Sequence, residues 1–506
     1  MTRPAGDTAT KPGEESDART VAVCKFGGSV LADGTDLRRV VRLVESRTDR
    51  PVIVVSALEG VTDAILEAVA AAPDEPDAGP SLVEGLERRH VEALQTALPD
   101  GEATGDGDRR VEDAAATLAD PLTDPLADLE RLLHGVTCTG EVTASIRDRA
   151  ASYGERLAAR VVASALSAHD VPARAHDADE LGVVTDGRHG HATAEVAATR
   201  ERAGPVLRTD RAAGRIPVVT GYFGRGPDGA VTTFGRGGSD YTAAVLARAL
   251  AADAVEVWKD VPGFLSADPD RLPGARPIPR MSYDEAAELA YLGVQVLHPR
   301  TLEPVRPAGV PVHVRHVARP ADPGTVIGPA ADGPAGLRAI DAREGFAIVR
   351  MSGSAMAATP GVGARIFSTL AEHDVTVLNM AASQASFALL VEDEDADRAA
   401  ELIRSAAVPT VEDVSVTRGH ALVCVVGQGL GDAEGVAGEV FSVLGAAGVT
   451  VTMISVGSSS VALSFVIDEG DVEPALSALH REVLEPGVAD ERAGSEPTDQ
   501  LAQGSR

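Results

Sequence analysis

The chain has 506 residues, which is enough for about two to four domains with large hydrophobic cores. Its net charge is −30, from 76 acidic and 46 basic residues, and the acids are spread along the whole chain. Such a surface repels nucleic acids and anionic membranes, so we expect neither as a partner, and an aromatic content of 3% argues against stacking platforms for single strands.

The N-terminal part predicts a disordered leader followed by a buried sheet. Residues 1–20 are polar and charged, without the apolar stretch of a signal peptide. An apolar run at 21–24 predicts the first strand, and residues 37–46 predict a helix. The next run, 51–56, is apolar throughout and does not alternate, which indicates a parallel sheet covered on both faces.

The middle of the chain continues as alternating strands and helices. The acidic stretch 71–128 predicts helices joined by loose loops. The alternation predicts a three-layer α/β domain with a mainly parallel sheet over residues 21–328. Its further strands are predicted at 216–221 and 254–258, and its further helices at 153–168, 240–251 and 283–292.

The C-terminal part contains an internal repeat. Residues 360–380 and 434–454 share eight of 21 positions, including a Gly-Val pair before a predicted helix. Each copy predicts strand, helix, strand, strand and helix, so we expect two ferredoxin-like βαββαβ modules in tandem. The predicted bounds are a linker at 329–340, modules at 341–416 and 417–487, and a disordered tail at 488–506.

Lysine is rare, because only Lys11, Lys25 and Lys259 occur among the 46 basic residues. Lys25 follows the first apolar strand and precedes Gly-Gly-Ser at 27–29, which suits phosphate binding. A chain that otherwise uses arginine keeps lysine where a compact ammonium is needed, such as beside a moving phosphoryl group. Lys25 is therefore a candidate phosphate ligand. Lys259 either has the same role or is present only by chance.

A second glycine-rich segment, 232–240, opens a predicted helix. Its glycines let a ligand approach the backbone, and a helix N-terminus offers free N–H groups to an anion. Arg236 stands between glycines, where its guanidinium is well placed to bind a carboxylate through two hydrogen bonds. Asp240 either belongs to this site or only complements the helix dipole.

These two segments resemble the signatures of aspartate kinases. Residues 25–29, KFGGS, are similar to the first signature, and residues 233–240, TFGRGGSD, to the second. Segments that fill the expected intervals are 54–57, 60–62, 153–157 and 296–299. The repeated modules are similar to ACT domains, the amino-acid-sensing units of those enzymes. The resemblance covers about 21–486, and the ordered set is more specific than any single motif.

Because no apolar run reaches about 18 residues and no signal peptide is predicted, we expect a cytoplasmic protein. The resemblance implies an enzyme that uses ATP and Mg²⁺ to phosphorylate the β-carboxylate of L-aspartate. This reaction is the first step in the synthesis of lysine, threonine and methionine. The resemblance also implies feedback regulation through the ACT domains and assembly into a homodimer or homotetramer. A carboxylate with a pKa near ~4 is already ionised at neutral pH, so the reaction needs no general base. The protein must align two anions and offset their repulsion.

The resemblance also assigns roles on the phosphate side. Lys25 and the N–H groups of Gly27 and Gly28 hold the terminal phosphates and the charge that develops in transfer. Ser29 and Asp240 orient the lysine, the phosphates or Mg²⁺. We expect no tightly held transition metal, because 12 histidines and three cysteines show no metal-ligand spacing.

On the aspartate side, the resemblance assigns a carboxylate of the substrate to Arg236 and its ammonium to Glu155. Thr62 and Ser239 add hydrogen bonds. Apart from the resemblance, Glu155 could equally be an ordinary first-turn acid of a helix.

The nucleotide segment, 259–271, departs from the family pattern. Leu265 replaces a nucleotide-contacting tyrosine, Asp270 stands where an arginine is usual, and Gln295 replaces a phosphate-contacting lysine. We expect Lys259 and Arg271 to compensate, although Arg271 could instead be a solvated surface charge. The complete set of nucleotide-binding candidates is Lys25, Gly27, Gly28, Ser29, Lys259, Asp260 and Arg271.

The sensor modules depart as well. The positions where threonine-binding relatives carry glutamine hold Ala382 and Val456. The polar candidates for an effector are Asn379, Ser383, Gln384, Gln428, Ser455 and Ser458, and the four taken forward are Asn379, Gln384, Gln428 and Ser455. These side chains could equally cap loops, and the modules either bind another amino acid or only pair their sheet edges to build a dimer.

Two other functions remain open from the sequence. One is a sister kinase of the same fold that acts on another carboxylate or on a carbamate. The other is a catalytically impaired amino-acid sensor, which the altered nucleotide segment would fit. The abundant acids and the scarcity of lysine are also typical of proteins from a halophilic cytosol.

Overall fold

The computed structural model describes residues 21–99, 107–293, 296–330, 336–353, 356, 359–406, 408, 410–430, 435–455 and 459–484. The predicted leader at 1–20 and tail at 488–506 lie outside the described residues. No helix of the described part is long and apolar enough to cross a membrane.

The first domain is built on an eight-stranded sheet. The strands described up to residue 328 are β1 (Ala22–Phe26), β2 (Val52–Val55), β3 (Ala173–His176), β4 (Ile216–Thr220), β5 (Phe223–Arg225), β6 (Val231–Thr233), β7 (Ala254–Lys259), β8 (Arg280–Ser282), β9 (Val312–His316) and β10 (Thr325–Gly328). The sheet order is β3-β4-β2-β1-β7-β9-β10-β8, while β5 and β6 form a separate hairpin. Only the β9–β10 pair is antiparallel within this described sheet. The predicted mainly parallel sheet is therefore confirmed.

Helices cover both faces of this sheet and produce three layers. One face packs against α1 (Gly34–Glu45), α2 (Val61–Ala71), α3 (Ala78–Ala97), α4 (Gly107–Thr139) and α5 (Ala144–Ala168). The other face packs against α6 (Ala178–Leu181), α7 (Val196–Ala212), α8 (Gly238–Leu250), α9 (Tyr283–Leu292) and α10 (Leu302–Val305).

The alternation of side chains along β1 decides what its lysine faces. Cys24 and Phe26 lie in the core with α1 to α5, and Val23 lies in the core with α8. Side chains two residues apart on a strand share a face. Lys25 therefore points toward the layer that contains α8.

The C-terminal region forms a second sheet, of six antiparallel strands. Its strands are β11 (Gly336–Ser352), β12 (Asn379–Ala382), β13 (Ser386–Glu392), β14 (Asp413–Gln428), β15 (Val451–Ser455) and β16 (Ala462–Asp468). The strand order is β12-β13-β11-β14-β16-β15. Its helices are α11 (Val362–Ala371), α12 (Ala396–Ser405), α13 (Val436–Ala446) and α14 (Val472–Leu479).

The two modules share a strand, a detail that the repeat did not predict. Residues 337–343 of β11 pair with 422–427 of β14, beside β16, whereas 346–352 lie between β13 and the start of β14. A strand from before the first module thus completes the second and covers an edge of β14 that would otherwise be unpaired. Residues 336–340, which the sequence analysis placed in a linker, belong to β11.

Candidate active site

Lys25 and Asp240 form a buried ion pair at the carboxyl end of β1. The Lys25 ammonium lies 2.6 Å from Asp240 Oδ1, and both side chains are less than a tenth exposed. Lys25 sits between Val54 of β2 and Val257 of β7, and Asp240 lies in the first turn of α8. The two residues predicted as catalytic are therefore brought together by a strand and the helix that covers it.

The glycines after Lys25 leave space for its side chain. A Cβ added at Gly27 would lie 2.8 Å from Lys25 Nζ, and one at Gly28 would lie 3.4 Å from the Ala57 carbonyl oxygen. Gly27 has a φ of −86°, which any residue can adopt, so the constraint is steric. The backbone here can approach a ligand where a side chain would block it.

Lys259 joins the same cluster of charges from the end of β7. Burial lowers the pKa of its ammonium, Asp240 acts to raise it, and Lys25 lowers it further. Burial alone would raise the pKa of the Asp240 carboxyl, but Lys25 and then Lys259 hold it below its usual value. Two ammonium groups and one carboxylate suit a polyanion such as a chain of phosphates.

Glu155 lies in α5 and is buried beside the start of α2. Burial raises its pKa to about 8, while hydrogen bonds from the Ala57 and Glu155 backbone, and then Lys25, act to lower it. Its Oε2 has no hydrogen-bond partner among the described residues. A Cβ added at Gly154 would lie 3.5 Å from Thr62 Oγ1, so Thr62 lies beside this turn of α5. A buried, incompletely paired carboxylate is suited to an incoming ammonium.

Arg236 is exposed in the loop before α8, between two glycines with left-handed backbones. Gly235 has a φ of 76° and Gly237 a φ of 72°. A Cβ at Gly237 would lie 2.3 Å from the His298 side chain, so His298 supports this loop. Burial and, more weakly, Arg236 lower the pKa of His298. Ser239 follows in α8 and is buried.

Tyr222 is a site residue that the sequence analysis missed. Its φ of 76° is unusual for a residue with a side chain, and its main chain lies against Gly238 at the start of α8. Burial raises the pKa of its hydroxyl, and the nearby Glu155 raises it further. The local sequence Gly-Tyr-Phe-Gly signals a turn but does not reveal this neighbour.

The remaining nucleotide candidates separate into two places. Ser29 Oγ lies 3.4 Å from Asp260 Oδ1, and both residues are exposed next to Lys259. Arg271 instead lies 2.8 Å from Glu344 and 3.4 Å from Glu473, acids of the C-terminal region. The structure therefore does not bring Arg271 to the cluster around Lys25, because those acids hold its guanidinium.

A cavity of about 620 Å³ opens beside the nucleotide segment. Its wall includes Leu265, Asp270 and Arg271 from that segment, together with Asp341 and Arg343 of β11. Burial raises the pKa of Asp341 to about 6, and the nearby Asp268 adds to this while Arg271 opposes it. Gln295 lies outside the described residues.

The four effector candidates are divided between the two halves of the second sheet. Asn379 begins β12 and lines a surface pocket with Phe367 and Met380. Gln384 is exposed in the hairpin between β12 and β13. Gln428 ends β14, where its Oε1 accepts a hydrogen bond from Arg338 at 3.4 Å, and Ser455 ends β15. Strands β12 and β15 contact each other, so Asn379 and Ser455 belong to neighbouring strands.

Comparison with known proteins identifies two families along the chain. Residues 20–316 match the amino acid kinase family, and residues 349–406 and 423–483 match the ACT domain. Chloroplastic aspartokinase 1 of Arabidopsis thaliana is 32% identical over 489 residues, covering 94% of this chain and 82% of the relative. Lysine-sensitive aspartokinase 3 of Escherichia coli (strain K12) is 30% identical over 478 residues, covering 92% and 99%.

Solved structures show the same relationship. The crystal structure of E. coli aspartokinase III in complex with lysine and aspartate, in the T-state, superposes with a TM-score of 0.76 at 29% identity. The R-state complex of the same enzyme with aspartate and ADP superposes with a TM-score of 0.72 at 28% identity. Both matches cover 92% of this chain and 100% of the other. The family resemblance and the fold class predicted from the sequence are confirmed.

Proposed function

Since the chain belongs to the amino acid kinase family and, within it, to the aspartokinases, it is a kinase of L-aspartate, and we propose that Lys25, Asp240 and Glu155 are central to its site. The reaction transfers the terminal phosphoryl group of ATP to the β-carboxylate of aspartate, a step of amino acid biosynthesis. The observation that carries this proposal is the convergence of the Lys25–Asp240 pair, Lys259 and the buried Glu155 at one end of the sheet.

Catalysis in this site is positioning and charge neutralisation. The attacking carboxylate is ionised at neutral pH, since an aspartate side chain in water has a pKa of about 3.9, so no protein group has to remove a proton. The Lys25 ammonium neutralises the charge that develops between the two reactants, and Asp240 holds it in place. The N–H groups of Gly27 and Gly28 donate to the same phosphates in this proposal, since a Cβ at Gly27 would lie against Lys25 Nζ and residue 27 therefore adds no side chain to the site.

Aspartate is recognised through its three charges. The buried carboxylate of Glu155 pairs with the ammonium, and Arg236 pairs with a carboxylate of the substrate. Thr62 and Ser239 add hydrogen bonds from their hydroxyl groups. Because Glu155 is desolvated, its pairing with the ammonium is strong only when the carboxyl is ionised.

The phosphates of ATP fit the charged cluster at the ends of β1 and β7. Lys259 adds a second cation for them beside Lys25 and Asp240. Mg²⁺ enters such sites with the phosphates and needs few protein ligands, which the Asp260 carboxylate and the Ser29 hydroxyl can supply. When bound, Mg²⁺ would neutralise phosphate charge.

The C-terminal modules are proposed to bind a regulatory amino acid. A lysine complex is known for E. coli aspartokinase III, and lysine is therefore the first effector to test. Asn379 is our preferred effector contact, because it lines a pocket of about 390 Å³ in the first module. We retain 21–328 as the catalytic domain and propose a homo-oligomer of cytoplasmic location.

The function is tested by measuring ADP release in a coupled assay at several salt concentrations, with aspartate, with acetylglutamate and without acceptor. We expect turnover that depends on aspartate. Activity with acetylglutamate in its place would favour a sister kinase, and turnover no faster with aspartate than without it would favour a sensor without catalytic activity. Titration with lysine, threonine and methionine in the same assay identifies the effector.

A further inference from the structure

Asp148 is a buried carboxylate that none of the roles above uses. It lies in the first turns of α5, and only 5% of the residue is exposed. Its oxygens receive four donors from two loops. Thr233 donates its hydroxyl at 2.6 Å and its N–H at 3.2 Å, Gly190 donates its N–H at 3.0 Å, and His189 Nδ1 lies 2.8 Å away.

Thr233 belongs to the segment that carries Arg236, whereas His189 and Gly190 belong to a loop packed against that segment. Thr233 ends β6, and Arg236 follows three residues later. A Cβ at Gly235 would lie 2.7 Å from the Gly190 carbonyl oxygen, so the loop of Gly190 supports the loop of Arg236. Arg300 braces the same pair of loops by donating to the Phe234 and Ala192 carbonyl oxygens at 2.7 and 2.8 Å.

Asp148 and Glu155 share one face of the same helix. They are seven residues apart, which is about two turns and roughly 10 Å along the axis. One carboxylate therefore faces the substrate, and the other holds the backbone of the loop that ends in Arg236. We propose that Asp148 is a positioning residue that fixes Arg236 relative to Glu155, and so sets the distance between the two groups that recognise a zwitterionic dicarboxylate.

This inference rests on the proposed function, and Asp148→Asn tests it without changing the volume of the side chain. An ionised carboxylate only accepts hydrogen bonds, whereas an amide presents an NH₂ group to some of the same donors. We expect the KM for aspartate to rise at least tenfold, while the KM for ATP stays within twofold. Thr233→Val, which removes one donor, should give a smaller change in the same direction, and Thr233→Ser should restore the parent KM.

Asp177→Asn is the matched control, because Asp177 is also buried and also bonds to α5, through Arg156 and Arg160. It should lower thermal stability without a selective change in the KM for aspartate. Equal changes in both KM values of Asp148→Asn, or a change in kcat alone, would overturn the inference. If the parent enzyme shows no turnover that depends on aspartate, the proposed function fails instead.

Discussion

Gly27 and the end of the Lys25 side chain occupy adjoining space, since a Cβ added at Gly27 would lie 2.8 Å from Lys25 Nζ. The lysine can therefore turn back over its own backbone toward Asp240 only because residue 27 has no side chain. The requirement is steric, as the Gly27 backbone lies in an ordinary extended conformation with a φ of −86°.

Gly27→Ala should therefore displace the ammonium without disturbing the fold. We expect kcat to fall at least about tenfold, equivalent to ~1.4 kcal/mol in the barrier, with little change in thermal stability. The control is Gly85→Ala in α3, where an added Cβ meets nothing within 4 Å. Steady-state kinetics and thermal unfolding of both variants check the prediction. Parent activity in Gly27→Ala would show that Lys25 does not occupy this position during turnover.

Lys25→Arg keeps the charge but changes its shape. The site around Nζ is closed by Gly27 and Asp240 and leaves only 6% of the residue exposed. A planar guanidinium is larger and cannot follow the phosphoryl group as a compact ammonium does. We expect turnover to fall at least about tenfold. Lys11→Arg, in the segment outside the described residues, is the control and should retain parent turnover. Near-normal turnover of Lys25→Arg would contradict the role given to Lys25.

The sequence was sufficient to predict the sheet and the pairing of motifs, because both depend on local patterns. An uninterrupted apolar run marked β2 and a strand-like run at 254–258 marked β7. A helix opening with glycines placed Asp240 at its N-terminus. The shared strand β11 could not be predicted from the repeat. Half of that strand lies before the first copy, and only its pairing with β14 shows that it completes the second.

Prediction of the site residues from the sequence had the same limit, because it worked only where the signal is local. Lys25, Asp240 and Lys259 carry local signals, since each is adjacent to a glycine-rich turn or a strand end. Arg271 was a candidate from its place in the nucleotide segment, but Glu344 and Glu473, distant in the sequence, determine where its guanidinium lies. Asp148 has no motif at all. Its function depends on donors from loops 41 to 85 residues away.

Substitutions of Lys259 and of Arg271 should differ in their effect on the KM for ATP. Lys259→Gln removes a cation next to Lys25 and Asp240, so we expect the KM for ATP to rise at least about tenfold. Arg271→Ala should leave that KM within about twofold and lower stability by at most about 1 kcal/mol, because its ion pairs are partly exposed. Initial rates across ATP concentrations and denaturant unfolding decide the matter. If the KM for ATP rises as much in Arg271→Ala as in Lys259→Gln, Arg271 contacts the phosphates after all.

Glu155 should make aspartate binding depend on pH. Burial raises its pKa to about 8, so the carboxyl of the free enzyme is mostly protonated at pH 7. Because only the ionised form pairs with the ammonium, kcat/KM for aspartate should fall up to tenfold per unit as pH drops below about 8. The same shift means that ionisation destabilises the fold as pH rises from about 4.5 to 8. Glu155→Gln should therefore be relatively more stable than the parent at pH 8.5 than at pH 5, and its residual kcat/KM should lose the acidic limb. If that limb persists in Glu155→Gln, another group controls it, and the ammonium contact assigned to Glu155 is wrong.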